Sequence, residues 1–170
     1  MQGGAHRLEL CADLVTWRHH PSLALLQQVK PRPACRCGPC CGPLGDFCYD
    51  RWELAQMAQS AARLVETGAD GIVTGVLDPG GGLDVEALQP IYAAARAAAQ
   101  RAGRPVACTL HRAFASAGTP FAALEAARAL GLSTILTSGQ ASQRPGGSSS
   151  AEAAGGGRRA GGWRSLWGPV

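Results

Sequence analysis

Three glycine-led segments recur along the chain at nearly equal distances, and this period constrains the fold more than any other feature. They are Gly4 to Cys11 (GAHRLELC), Gly68 to Gly75 (GADGIVTG) and Gly131 to Ser138 (GLSTILTS), each a glycine, a short polar link and a small apolar strand. The first two glycines stand 64 positions apart and the last two 63. Such a step equals two strand–helix units of roughly 30 residues, the unit length of a parallel β/α barrel of about 250 residues. Gly103 to His111 (GRPVACTLH) reads as the strand between the second and third segments.

The gaps carry helix signals. Asp50 is a predicted N-cap, and Glu53 three residues on completes a capping box. Leu54, Met57, Ala58, Ala61 and Val65 then form one apolar face, and Gly68 ends the helix. Asp84 starts a second helix toward Ala102, and Thr119 with Pro120 at the first helical position starts a third that ends at Gly131. Strand and helix in alternation imply parallel strands with right-handed crossovers, an α/β fold.

The pattern breaks twice. Its phase demands a strand between Val29 and Gly45, where Pro31, Pro33, Pro39 and Pro43 stand. Each proline removes a ladder donor, so residues 30–44 are read as an irregular Pro/Cys-rich insert replacing a strand. From Gln140 no periodic apolar stripe remains, and residues 140–170 are expected to be a disordered Gly/Ser/Arg-rich tail. One domain, 1–139, is left, in a chain of 170 residues.

Bulk properties exclude several classes. Much of the net charge of +4 comes from Arg144, Arg158, Arg159 and Arg164 in the tail and Arg32 and Arg36 in the insert, with no organised basic face for nucleic acid. There is no apolar run of about 20 residues and no signal-peptide pattern at the N-terminus. The expectation is a soluble cytoplasmic protein without a membrane partner, the nucleus being a second compartment open to it. In that reducing setting the seven cysteines are read first as metal or redox groups.

GGAHRLELCADL, GDFCYD, GADGIVTGVLDPGGGLDVEAL, TLHRAFASAGTPFAALEAARALG and ILTSG, in that order, resemble successive motifs of the CutC copper homeostasis family. The resemblance covers about two thirds of the chain, and its most specific pieces are Thr109 to Phe114 and Gly45 to Tyr49. It implies a β/α barrel and a copper homeostasis role with cuprous ion, Cu(I), bound through cysteine; soft thiolate suits that ion. It assigns Cys11 as one metal ligand and puts that ligand's partner upstream of the GGA segment, where this chain has no counterpart. Departures accompany it. Only Gly45, Asp46 and Phe47 remain of an RPRGGDF-like turn, Val15 to His20 replaces a glycine-containing loop, and nothing after Gly139 resembles the seventh and eighth strands. The expected fold is therefore an incomplete TIM-type (β/α) barrel lacking the first and the last two strands. The expected product is a truncated form of an animal homologue, impaired in copper binding or a non-functional splice or gene-model variant, whose subunits pair as a homo-oligomer to cover exposed strands.

Active groups of such barrels sit at the C-terminal ends of strands, which singles out Glu9, Cys11, Asp46, His111, Arg112, Thr137 and Ser138. His111 as acid/base, Arg112 as anion clamp and Glu9 as opposing carboxylate would suit proton transfer on a small anionic metabolite. Equally open is a structural Glu9–Arg112 ion pair capped by His111. Cys35, Cys37, Cys40 and Cys41 are read as zinc or Cu(I) ligands or as a loop without a role. Within them CGPC matches the thioredoxin tetrapeptide, but Gly42 and Pro43 leave no helix to activate its first thiol. Cys48 and Cys108 are expected to pack, His19 and His20 to lie on the solvated surface, and Asp78 to Gly82 to form a βα turn.

Overall fold

The computed structural model describes residues 7–12, 21–30, 36–39, 46–132, 134–137 and 164–165. Within them the chain order is β1 (Arg7–Leu10), α1 (Leu23–Val29), β2 (Arg36–Pro39), α2 (Arg51–Glu66), β3 (Gly71–Thr74), α3 (Val85–Arg101), β4 (Ala107–Leu110), α4 (Ala113–Ser116), α5 (Pro120–Ala129), β5 (Thr134–Ile135) and β6 (Arg164–Ser165).

The helix ends follow local chemistry. The Asp50 carboxylate accepts the Trp52 and Glu53 N–H groups at 2.7 and 2.9 Å, and the Glu53 carboxylate accepts the Asp50 N–H at 2.8 Å. This reciprocal box satisfies orphan donors of the first turn of α2. At its other end Gly68 takes φ +117°, while the Gly68 and Ala69 N–H groups donate to the Val65 and Leu64 carbonyls. Asp84 caps α3 through the Ala87 N–H at 2.9 Å. Pro120 is the first residue of α5, but Thr119 makes no side-chain capping bond. Two helices have no counterpart in the sequence reading: α1, capped by the Ser22 hydroxyl accepting the Leu25 N–H at 3.1 Å, and the single turn α4.

Every strand pair is parallel. β1 pairs with β2, and β3, β4, β5 and β6 form a second sheet in that order. β2 lies beside β3, and α2 packs against α3. Ile72 of β3, Cys108 and Leu110 of β4 and Ile135 of β5 enter one apolar core with Leu64, Leu88, Ile91 and Tyr92 of the helices, and Leu8 and Leu10 of β1 pack against it. None of the described helices is long and apolar enough to cross a membrane.

Two expectations are corrected. The Pro/Cys-rich insert is not irregular throughout, because Arg36–Pro39 forms a parallel strand in register with Arg7–Leu10. The strand is short enough to hold a single proline, Pro39, at its last position, where a missing donor interrupts the ladder least. In the tail, Arg164 and Ser165 pair with Thr134 and Ile135 rather than lying unstructured; the rest of 140–170 lies outside the described residues.

The ends at which the strands begin carry charge pairing. Lys30 meets Asp70 at 2.5 Å, each side chain about one third exposed. Arg104 donates to the carbonyls of Ala69, at 2.7 Å, and Val65, holding the end of α2 to the start of β3. These contacts tie elements together at the ends where the strands begin, away from the strand C-termini.

Candidate functional site

Strand alternation sorts the side chains of the second sheet. Ile72, Cys108, Leu110 and Ile135 face the helices, so the residues between them face the other way. That opposite face carries Val73, Thr109 and Thr134 side by side in register. All three are buried, two of them polar. One step further toward the strand C-termini the same face presents Gly75 and His111. On β1, Glu9 alternates with Leu8 and Leu10, which pack on the core.

His111 is only 6% exposed. Its own N–H donates to the Thr74 carbonyl at 3.1 Å, which extends the β3–β4 ladder by one residue. Its Nδ1 accepts the Ala113 N–H at 3.2 Å. The Phe47 ring lies against it, centroids 4.9 Å apart and planes inclined at 56°. Phe47 itself stands at φ +71°, the one non-glycine residue of positive φ among the described residues, and its carbonyl accepts the Leu77 N–H at 2.8 Å. A left-handed phenylalanine is costly, and here the Leu77 bond and the ring contact hold it. The Arg112 guanidinium sits over the Phe47 ring, 5.7 Å from its centroid, within cation–π range.

Burial, and then the charge of Arg112, push the His111 pKa down to about 4. The ring is therefore neutral near pH 7. With Nδ1 accepting a hydrogen bond, its one proton belongs on Nε2. No described group pairs with Nε2. No buried side-chain nitrogen or oxygen lacks a partner among the described residues.

Gly75 makes this arrangement possible. A Cβ there would stand 2.7 Å from His111 Nδ1 and 2.8 Å from both His111 Cε1 and the Ala113 Cβ. Gly75→Ala is expected to cost about 1–3 kcal/mol, as overpacking of a tight interior does, and to displace the imidazole from Phe47. Denaturant melts with a ring-current shift of the His111 protons check both; a wild-type melt with an unmoved ring would refute the packing role.

The remaining candidates divide. Glu9 is exposed by surface area, yet desolvation by the protein around it raises its carboxyl pKa. No ion pair joins Glu9 to Arg112 among the described residues, since Arg112 turns to Phe47 instead, which corrects the structural ion-pair reading. A ring of such low pKa is neutral and a weak proton acceptor near pH 7. Cys11 is buried at the end of β1. Cys108 is buried in the core, and burial raises its thiol pKa against the opposing influence of Arg96. Cys48 is exposed rather than packed; its thiol donates to the Asp78 carbonyl at 3.6 Å. Partial desolvation and then the carboxylates of Asp46 and Asp78 raise its pKa, so it is no activated nucleophile. Asp78 to Gly82 forms a turn closed by the Asp78 carboxylate accepting the Gly82 N–H at 2.9 Å. Cys37, Gly38 and Pro39 of the CGPC stretch lie in β2, not at a helix N-terminus. The Cys35, Cys40 and Cys41 positions, the Cys37 side chain, His19, His20 and Ser138 fall outside the described residues. Among the described ones no three His, Cys, Asp or Glu side chains cluster as a metal site.

The CutC family model matches residues 1–152. The chain belongs to the CutC family. A Citrobacter koseri protein named as family protein CutC is 41% identical over 142 residues, which are 83% of this chain and 54% of that protein. The chain thus spans about half the length of this curated CutC relative. The crystal structure of a Streptococcus agalactiae CutC protein, provisionally described as a copper homeostasis protein, superposes with a TM-score of 0.77 at 23% identity. The superposition covers 88% of this chain and 71% of that one and establishes a shared mixed α/β fold with parallel strands. Within the CutC match, the Thr109 to Phe114 motif supplies Thr109 of the buried row and His111. Phe47 of the GDF turn and Gly75 were not singled out from sequence. The alternation of Thr74 and Gly75 past the strand end was the one signal for the latter.

Proposed function

We propose that this chain is a copper-handling protein built as a partial β/α barrel, taking Cu(I) as cargo through the Cys11 thiolate. The observation that carries the reading is the β1–β2 ladder. Its last pair is Leu10 with Pro39, and the next residue in sequence after each is a cysteine, Cys11 and Cys40. Soft thiolates suit a two-coordinate Cu(I) ion. Cys35, Cys37 and Cys41 offer further thiolates on the same segment. The copper homeostasis description of the S. agalactiae relative supports the cargo, and a reducing cytoplasm would keep the thiols available.

Anaerobic titration of the full chain against a chromophoric Cu(I) chelator tests this. Loss of an outer partner of a metal ligand costs about 10–100-fold in affinity, so loss of a ligand is expected to exceed tenfold in both Cys11→Ser and Cys40→Ser. Unchanged stoichiometry and affinity in Cys11→Ser removes that residue from the account.

A second reading is a small anionic metabolite held at the strand C-termini by His111 and Arg112, with Glu9 as the opposing carboxylate. The buried imidazole, held at the end of β4 with its Nδ1 already accepting the Ala113 N–H, and the exposed Arg112 next to it in sequence favour it.

A further inference from the structure

Resting on the second reading above, we propose that His111 is a fixed hydrogen-bond donor: its Nε2–H receives a small oxyanion, and the exposed Arg112, next in sequence, supplies positive charge to the same strand end. Four contacts fix the donor. The Ala113 N–H occupies Nδ1 at 3.2 Å and thereby assigns the proton to Nε2. The absent Cβ of Gly75 admits Nδ1 and Cε1 on one side, and the Phe47 ring bears on the imidazole at 4.9 Å. The His111 N–H on the Thr74 carbonyl holds the backbone. A ring so confined turns neither to swap its nitrogens nor to follow a migrating proton, so it presents one N–H in one direction.

The ligand class follows from the charges. Arg112 is exposed, stands over Phe47 rather than against a carboxylate, and enters no ion pair among the described residues. A neutral donor beside an uncompensated guanidinium suits an acceptor that carries negative charge on oxygen, a carboxylate or a phosphate, because hydrogen bonds to charged acceptors are the strong ones. A neutral imidazole also adds a donor without adding a second positive charge next to Arg112, which would otherwise be repelled. The burial and low pKa of the ring are consistent with this role and with no part as a base.

The test uses the ¹⁵N-labelled full chain and the long-range ¹H–¹⁵N spectrum of its imidazoles. At neutral pH His111 is expected to show an unprotonated Nδ1 and an Nε2–H, and inorganic phosphate or acetate is expected to move the Nε2 resonance. Response to phosphate alone names a phosphorylated ligand, response to acetate alone a carboxylate, and either supports the donor. His111→Gln, whose amide keeps an N–H donor, is expected to retain affinity within a few fold, while His111→Leu loses about tenfold or more. A proton on Nδ1, or His111→Gln falling as far as His111→Leu, overturns the donor even if anions bind. Equal anion affinity in wild type and His111→Leu does the same. If the wild-type protein binds neither anion, the small-anion reading itself fails and the donor role with it. The spectrum of the unmodified chain decides the proton's position whether or not the leucine variant folds.

Discussion

Tyr92→Ala is expected to cost about 3–5 kcal/mol of stability, the range for truncating a large buried aromatic. Tyr92 lies on α3 with no exposed surface, and its hydroxyl reaches the carbonyls of Thr74, at 3.2 Å, and Thr109, at 3.0 Å. It thus pins one helix to two adjacent strands. The Thr74 carbonyl is also the acceptor for the His111 N–H, so removing Tyr92 loosens the backbone on which the imidazole rests. Tyr92→Phe separates the two contributions. The ring volume stays, Thr74 keeps its His111 donor, and the expected cost falls to about 1 kcal/mol. Urea melts of the three proteins read both values. Near-equal losses in the alanine and phenylalanine variants would assign the effect to the hydroxyl and contradict the packing account.

Acidification is the second large effect. His111 has its pKa lowered from 6.5 to about 4 by burial and by Arg112. In the unfolded chain the ring gains a proton near pH 6.5, whereas the folded chain resists until about pH 4. The unfolded state therefore binds more protons across that window, and stability falls as pH falls through it. Above pH 6.5 the contribution is fully present; by about pH 4 about 3 kcal/mol has been lost, at 1.36 kcal/mol per pKa unit. Glu9 acts in the opposite sense. Desolvation raises its carboxyl pKa, so protonation on acidification favours the fold and offsets part of the loss. Denaturant melts at pH values across the window, on wild type and His111→Gln, isolate the imidazole. The wild-type curve is expected to decline steeply and the glutamine curve to flatten. Parallel curves would mean that His111 is not the buried group responsible.

The features legible in sequence are those decided within a few residues. Asp50 and Glu53 form their box because both partners belong to one helical turn. Gly68, Gly103 and Gly131 end helices at positive φ because glycine bears no Cβ penalty there. The glycine-led period located β1, β3 and β5, and the apolar alternation of GRPVACTLH located β4. The prolines of the insert misled because their count was weighed over the whole segment, whereas β1 needs a partner over only four residues and Pro39 falls at the end of it.

The site was legible as a list of residues and not as an arrangement. Sequence alone placed Glu9, Cys11, His111 and Arg112 just at or beyond strand ends, because strand and helix phase are set by local spacing and burial pattern. It also determined the parallel α/β character and the CutC relationship. Only the tertiary structure decided that Arg112 lies on Phe47 rather than on Glu9, that Gly75 makes room for the imidazole, and that burial lowers the pKa of His111. Those outcomes depend on groups tens of residues away meeting within about 5 Å and excluding water, and charge and tautomer answer to that desolvated neighbourhood rather than to the adjoining sequence.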